Sequence, residues 1–149
     1  MDRGRLLTLR AVFRLCAELW SWLADHPGAA KHLWPRWAEL QQEYQLLFAS
    51  GCFACAYVNQ ERYHLAGCTQ CPLKECWGSG TCTAPGSPYR IWQDAARPFP
   101  PDPPGEDTVR EQRFAIRRRA ALEIAAFCAG AVLTAAGDEI AAFVAGSDA

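Results

Sequence analysis

Apolar residues return every three or four positions over residues 5–25. Leu9, Val12, Cys16, Leu19 and Leu23 form one stripe, and Phe13 and Trp20 widen it. This predicts an amphipathic helix that ends at Pro27-Gly28, because the residue before a proline avoids helical geometry. Trp20 and Trp22 would point about 200° apart on that helix, so they cannot share one core face. Trp37, Leu40, Tyr44 and Leu47 share a second face and predict a helix over 35–49, with Pro35 at its first position and Gly51 as its stop. Two helices this close in sequence are expected to pack antiparallel.

From 51 to 88 the helical period disappears, and cysteine, glycine and turn residues dominate. A short helical element is expected around Tyr89 to Ala95. The run RPFPPDPPG at 97–105 holds five prolines in nine positions and reads as a stiff, extended connector. Thr108 and Glu111 read as a capping box that opens a helix running to about Ala136. Arg110, Arg113 and Arg117 lie on the face that Ile124, Cys128 and Ala131 continue, with Arg118 and Arg119 beside them. From Leu122 to Ala136 only Glu123 and Thr134 are polar, so the expectation is a wet, basic first half and a second half buried on nearly all sides. Gly137-Asp138 is expected to break the helix, leaving Ile140, Phe143 and Val144 in a short final one. Ala126 and Gly130, four apart, would let the C-terminal helices of two copies approach closely and form a homodimer.

A chain of 149 residues suits a single domain. The expected class is mainly α: a small helical domain with an inserted metal-bound loop module of zinc-knuckle or ribbon type. Its parts are a helical pair at 1–50, a cysteine-rich module with a short helix at 51–96, the linker at 97–105 and C-terminal helices at 106–149. A net charge of −1 excludes a globally basic nucleic-acid coat. No apolar run approaches the ~18 residues of a membrane span, so no membrane partner is expected. Arg10 and Arg14 interrupt what would be the apolar part of a secretory signal, which makes the cytoplasm the expected location.

In that compartment disulfides do not persist, and clustered cysteines more often hold metal. Six of the eight cysteines lie between Cys52 and Cys82, while Cys16 and Cys128 sit alone in apolar helical surroundings and read as core residues. Cys52-x2-Cys55, twelve residues, then Cys68-x2-Cys71 offers four thiolates to one tetrahedral zinc ion. Cys76, Cys82 and His64 are alternates for a place in that set. The less favoured cofactor is an iron–sulfur cluster on Cys68, Cys71, Cys76 and Cys82, whose spacing departs from the ferredoxin run. Four thiolates close the coordination sphere, so the zinc would be structural, contributing on the order of 10–16 kcal/mol in small modules. The sequence has no H-E-x-x-H, P-loop, G-x-G-x-x-G or G-x-S-x-G, and no H-x-E with P-C-x-x-C, so a non-enzymatic role is expected.

Three segments in order, WSWLADHPGAAKHLWPRW, CFACAY followed by CTQCPL, and SPYRIW, resemble a class of small cysteine-rich zinc-binding proteins encoded by tailed phages and prophages. The resemblance covers about residues 20–92 and is carried chiefly by the cysteine pairs; Cys76, directly before Trp77, departs from the pattern. It implies an accessory protein acting in the cytoplasm of a bacterial host by binding a host or phage complex, with inhibition of a defence system such as CRISPR among the roles.

Two functional readings follow. In the first, the chain binds a protein complex, with Trp22 and Trp34 as candidate contact residues because Trp is enriched at binding hot spots. In the second, it binds nucleic acid through Arg110, Arg113, Arg117 and Arg118, since arginine grips phosphate with forked hydrogen bonds. Glu106, Asp107, Glu111 and Glu123 offset most of that charge. Trp77, Tyr89 and Trp92 are expected at the seam between the cysteine segment and the helices.

Overall fold

The computed structural model describes residues 7–44, 53–54, 71–78, 81–95 and 107–146, with the side chains of the last segment described over 108–132. The fold is mainly helical: among the described residues there are four α-helices, one 3₁₀ turn and no strand. None of these helices is long and apolar enough to cross a membrane.

Helix α1 spans Leu9–Asp25. Thr8 sets its start, later than the apolar period alone suggests. Its backbone is extended (φ −94°, ψ 161°), and its hydroxyl accepts the Ala11 N–H at 3.1 Å. At the other end the His26 N–H donates back to the Leu23 carbonyl at 3.3 Å, and Pro27 follows. The expected stripe is buried: Val12, Phe13, Leu15, Cys16, Leu19, Trp20, Leu23 and Ala24 all face inward.

A 3₁₀ turn, Lys31–Leu33, comes next, and α2 spans Trp37–Tyr44. Pro35 lies in the turn between them rather than at the first helical position. Only Leu40 of α2 is buried. Helix α3 is Pro88–Asp94, with Ser87 as its cap and Pro88 at its first turn, where a missing N–H costs nothing.

Helix α4 is a single element, Asp107–Gly146, 40 residues long. Two expectations are corrected here. Thr108 lies inside the helix rather than at its cap. Gly137-Asp138 does not end it: an interior glycine costs about 1 kcal/mol relative to alanine, and the flanking alanines are the strongest helix formers.

The core partner of α1 is α4, not α2. The two run antiparallel: Arg118 donates to the Ala24 carbonyl at one end, and the Phe13 and Phe127 rings meet edge to face at 6.4 Å toward the other. Ala120, Ala121, Ile124, Ala125 and Cys128 supply the buried stripe of α4, its small side chains letting α1 come close. At the start of α4, Phe114 presses on Gly28, where an added Cβ would lie 3.1 Å from its Cζ. Arg36, the residue just before α2, forms an ion pair with Glu18 of α1. Helix α4 is not buried all round, as Leu122 is 51% and Ile116 46% exposed. Alanine is compatible with either environment, so the apolar run did not have to mean burial on every side.

Candidate functional site

The cysteine segment meets the helices at an aromatic cluster. Trp20 of α1 stacks edge to face on Trp92 at 5.0 Å and on Tyr89 at 5.8 Å, both from α3. Tyr89 in turn meets Trp77 at 6.1 Å. Trp77 is held in consecutive turns, its N–H shared between the Leu73 and Lys74 carbonyls. Gly78, at φ 74°, releases the chain immediately afterwards in a conformation that only glycine adopts cheaply. Lys31 of the 3₁₀ turn donates to the Tyr89 hydroxyl at 2.8 Å and lies 4.5 Å from the centre of its ring. The three aromatics expected at the seam are therefore brought together there.

Ser87 joins this seam to α3. Its hydroxyl donates to the Cys82 carbonyl at 2.5 Å and accepts the Arg90 N–H at 3.1 Å, and the residue is buried. Arg90 spans the same turn, pairing with Asp94 at 3.0 Å and donating to the Thr83 carbonyl at 3.1 Å.

Of the six clustered cysteines, the described residues include Cys71, Cys76 and Cys82, each carrying a thiol and half-buried. Cys52, Cys55, Cys68 and His64 lie outside the described residues. Among the described residues no group of three metal-ligating side chains is assembled. Cys76 faces the core side of the seam. Its thiol pKa is pushed up to about 12, first by burial, then by neighbouring Cys128, Glu123 and Cys71. The indole N–H groups of Trp77 and Trp92 are buried with no hydrogen-bond acceptor among the described residues. Cys16 and Cys128 are core residues, 3% and 0% exposed.

Arg110, Arg118 and Arg119 of α4 are exposed, as expected of a wet face, and Arg113 is half-buried, but Arg117 is placed differently. Arg117 is 3% exposed. Its Nε donates to the Trp92 carbonyl at 3.1 Å, and its Nη1 donates to Pro27 at 2.5 Å and Ala29 at 3.2 Å. The guanidinium lies 3.8 Å from the centre of the Trp92 ring. Burial, with the neighbouring charge of Arg113, lowers its pKa to about 10, so it stays charged at neutral pH. Arg113 donates to the Ala95 carbonyl at 3.2 Å and Arg118 to that of Ala24 at 3.2 Å. Arg110 is exposed. Three of the four expected phosphate-gripping residues thus bind backbone carbonyls that end α1 and α3.

Trp34 is also inside, 5% exposed and edge to face with Phe53 at 6.2 Å. Trp22 is half-buried and stacks on His26 at 4.2 Å, while the His26 ring bonds the Trp22 carbonyl at 2.8 Å. The tandem of Trp20 in the core and Trp22 off it follows from their angular separation.

Sequence reasoning missed the outward apolar residues Leu33, Ile91, Ile116 and Leu122. For Ile116 a signal existed: on the wheel of α4 it lies about 120° from Cys128 and about 140° from Ala121, off the buried stripe. The chain matches no protein-family model, no curated protein and no solved structure.

Proposed function

We propose that this chain is a non-enzymatic accessory protein in which a zinc-bound cysteine segment is locked onto a helical scaffold, and that it works by binding a macromolecular complex. The resemblance to phage and prophage proteins makes a host or phage complex in the bacterial cytoplasm the target, with inhibition of a defence system such as CRISPR as the role. The observation that carries this reading is the seam: a turn-built, cysteine-bearing segment anchored by Trp77 and Tyr89 against Trp20 and Trp92.

The donor chemistry suits a metal. Three half-buried thiols belong to one short stretch, and the Trp77 N–H is a buried donor with no acceptor among the described residues. Donors of that kind surround metal-bound thiolates and tune them. Cys52, Cys55, Cys68 and Cys71 would hold the ion, with Cys76, Cys82 and His64 as alternates. When bound, zinc would supply a closed structural crosslink and no open position for a substrate.

Elemental mass spectrometry of the purified protein with its visible spectrum tests the metal. The expected result is about one zinc per chain and no colour. Iron with a broad brown absorbance would replace it with the iron–sulfur alternative and make Cys76 and Cys82 ligands. Cys52→Ser or Cys68→Ser should unfold the segment and abolish partner capture; a metal-free variant that still captures the wild-type complex would overturn the proposal.

Nucleic-acid binding is the weaker reading, because Arg113, Arg117 and Arg118 are each engaged with backbone carbonyls, Arg117 in the interior. Titrating the protein with duplex and single-stranded DNA at low salt decides it. Binding that survives the loss of these arginines would have to come from elsewhere on the chain.

A further inference from the structure

The outward face of α4 carries a stripe of its own. Gln112, Ile116, Arg119, Glu123, Ala126 and Gly130 follow one another at spacings of four, three, four, three and four. This is the spacing of a coiled-coil seam, and it keeps all six on one side of the helix. All six are exposed in the monomer, Ile116 by 46%. Helix α4 continues without a break through Gly137, so the stripe sits on a rigid rod rather than beside a hinge.

The order of these residues is palindromic in chemistry. About a midpoint at position 121, Arg119 mirrors Glu123, a positive charge against a negative one. Ile116 mirrors Ala126 and Gln112 mirrors Gly130, a large side chain against a small one in both cases. Around Gly130 there is open space, with nothing within 4 Å of where a Cβ would stand. Arg119 and Glu123 have no ion-pair partner among the described residues. In a two-fold interface, if residue i meets j then j meets i, so an antiparallel copy of the same helix would satisfy every one of these pairs twice. Beside the stripe runs a groove of about 440 Å³ lined by Ile91, Ala115, Ile116, Arg119, Ala120 and Glu123, which widens the apolar surface toward α3.

We propose that this face binds a second copy of the chain, with the two α4 helices antiparallel about position 121, Arg119 of each facing Glu123 of the other, and Ile116 of each seated on the other's Ala126. This goes beyond the zinc reading and does not depend on it. Two copies of one helix in the opposite, parallel sense would set Arg119 against Arg119 and Glu123 against Glu123, so the charges select the direction. Isolated exposed pairs add little affinity, so the apolar contacts hold the dimer and the ions set its register.

Sedimentation equilibrium on the whole chain as purified tests this. The wild type should sediment at twice the chain mass of 16.5 kDa. Arg119→Glu alone and Glu123→Arg alone should each weaken the dimer at least tenfold, because each sets like charges together twice. The double variant should return to within about threefold of wild type. Ile116→Glu should abolish dimerisation while circular dichroism stays that of the wild type, since the position is solvent-facing in the monomer. A wild type that is monomeric at 100 μM overturns the proposal and leaves the face to another partner. A dimer indifferent to both single swaps, or not restored by the double one, overturns it as well.

Discussion

Replacing Arg117 with alanine removes a buried cation that reaches both the chain following α1 and the end of α3. Three carbonyls, those of Trp92, Pro27 and Ala29, lose their donor. A buried acceptor left unmet, that of Trp92, costs about 1–3 kcal/mol, the half-buried ones of Pro27 and Ala29 cost about 1 kcal/mol each, and losing a desolvated cation–π contact adds about 1–2 kcal/mol. Against this stands relief from burying the charge. A pKa lowered to about 10 corresponds to about 3 kcal/mol against the charged form. With the middle of each range, the balance is a loss of about 2–3 kcal/mol. Arg117→Lys keeps the charge but loses the planar fork that reaches the carbonyls of Trp92, Pro27 and Ala29 together, and it should lose about 1 kcal/mol. The assay is urea unfolding followed by tryptophan fluorescence, which reads Trp20, Trp77 and Trp92 directly. At an m-value of about 2 kcal/mol/M the alanine variant should unfold about 1 M earlier with unchanged slope. The folded pKa lies below the unfolded one. The unfolded chain therefore binds more protons only above about pH 10, up to the ordinary arginine range, and there stability should rise with pH. Below pH 10 Arg117 adds no pH dependence, so measurements near pH 7 isolate the structural effect. An Arg117→Ala variant within 1 kcal/mol of wild type would refute the clamp. If it also lost nucleic-acid affinity, the residue would belong to a phosphate site.

Other outcomes follow from the same geometry. Cys76 has a folded pKa raised from 9.0 to about 12, so in metal-free protein it favours folding below pH 9 and that contribution fades from pH 9 toward pH 12; native alkylation with iodoacetamide at pH 8, read by peptide mass spectrometry, should modify it far more slowly than in urea. Ser87→Ala removes the cap of α3 and the bond to the Cys82 carbonyl, and should cost about 1–2 kcal/mol in the same unfolding assay. Gly28→Val would drive a branched side chain into Phe114, already 3.1 Å from a bare Cβ, and should cost about 1–3 kcal/mol, whereas Gly28→Ala should cost less because the ring can tilt.

The buried stripe of α1, the short helix α3, the core placement of Cys16 and Cys128 and the aromatic seam were all legible in the chain itself. Each depends on local spacing or on residue types that favour burial, and neither needs knowledge of distant partners. The start of α1 moved because one hydroxyl, that of Thr8, found the Ala11 N–H, a local detail that outweighs periodicity at a helix end. The alternate metal ligand Cys76 is placed against Cys128 and Glu123 of α4, a neighbourhood no loop spacing contains. Cys52, Cys55, Cys68 and His64 remain a statement of the sequence, since they lie outside the described residues.

The arginines mark the boundary between the two kinds of information. In the chain, Arg113, Arg117 and Arg118 form a basic run on a helix, and such a run reads as solvated or as phosphate-binding. Tertiary structure decided otherwise by setting the ends of α1 and α3 beside them, where backbone carbonyls need donors, and by burying Arg117 while Arg118 stays exposed. Likewise, composition determined that α4 would be a strong helix rich in alanine, but alanine suits core and surface equally. Only the packing of α1 along one side chose which face became core and which face, with Ile116, Arg119, Glu123 and Ala126, was left to the outside.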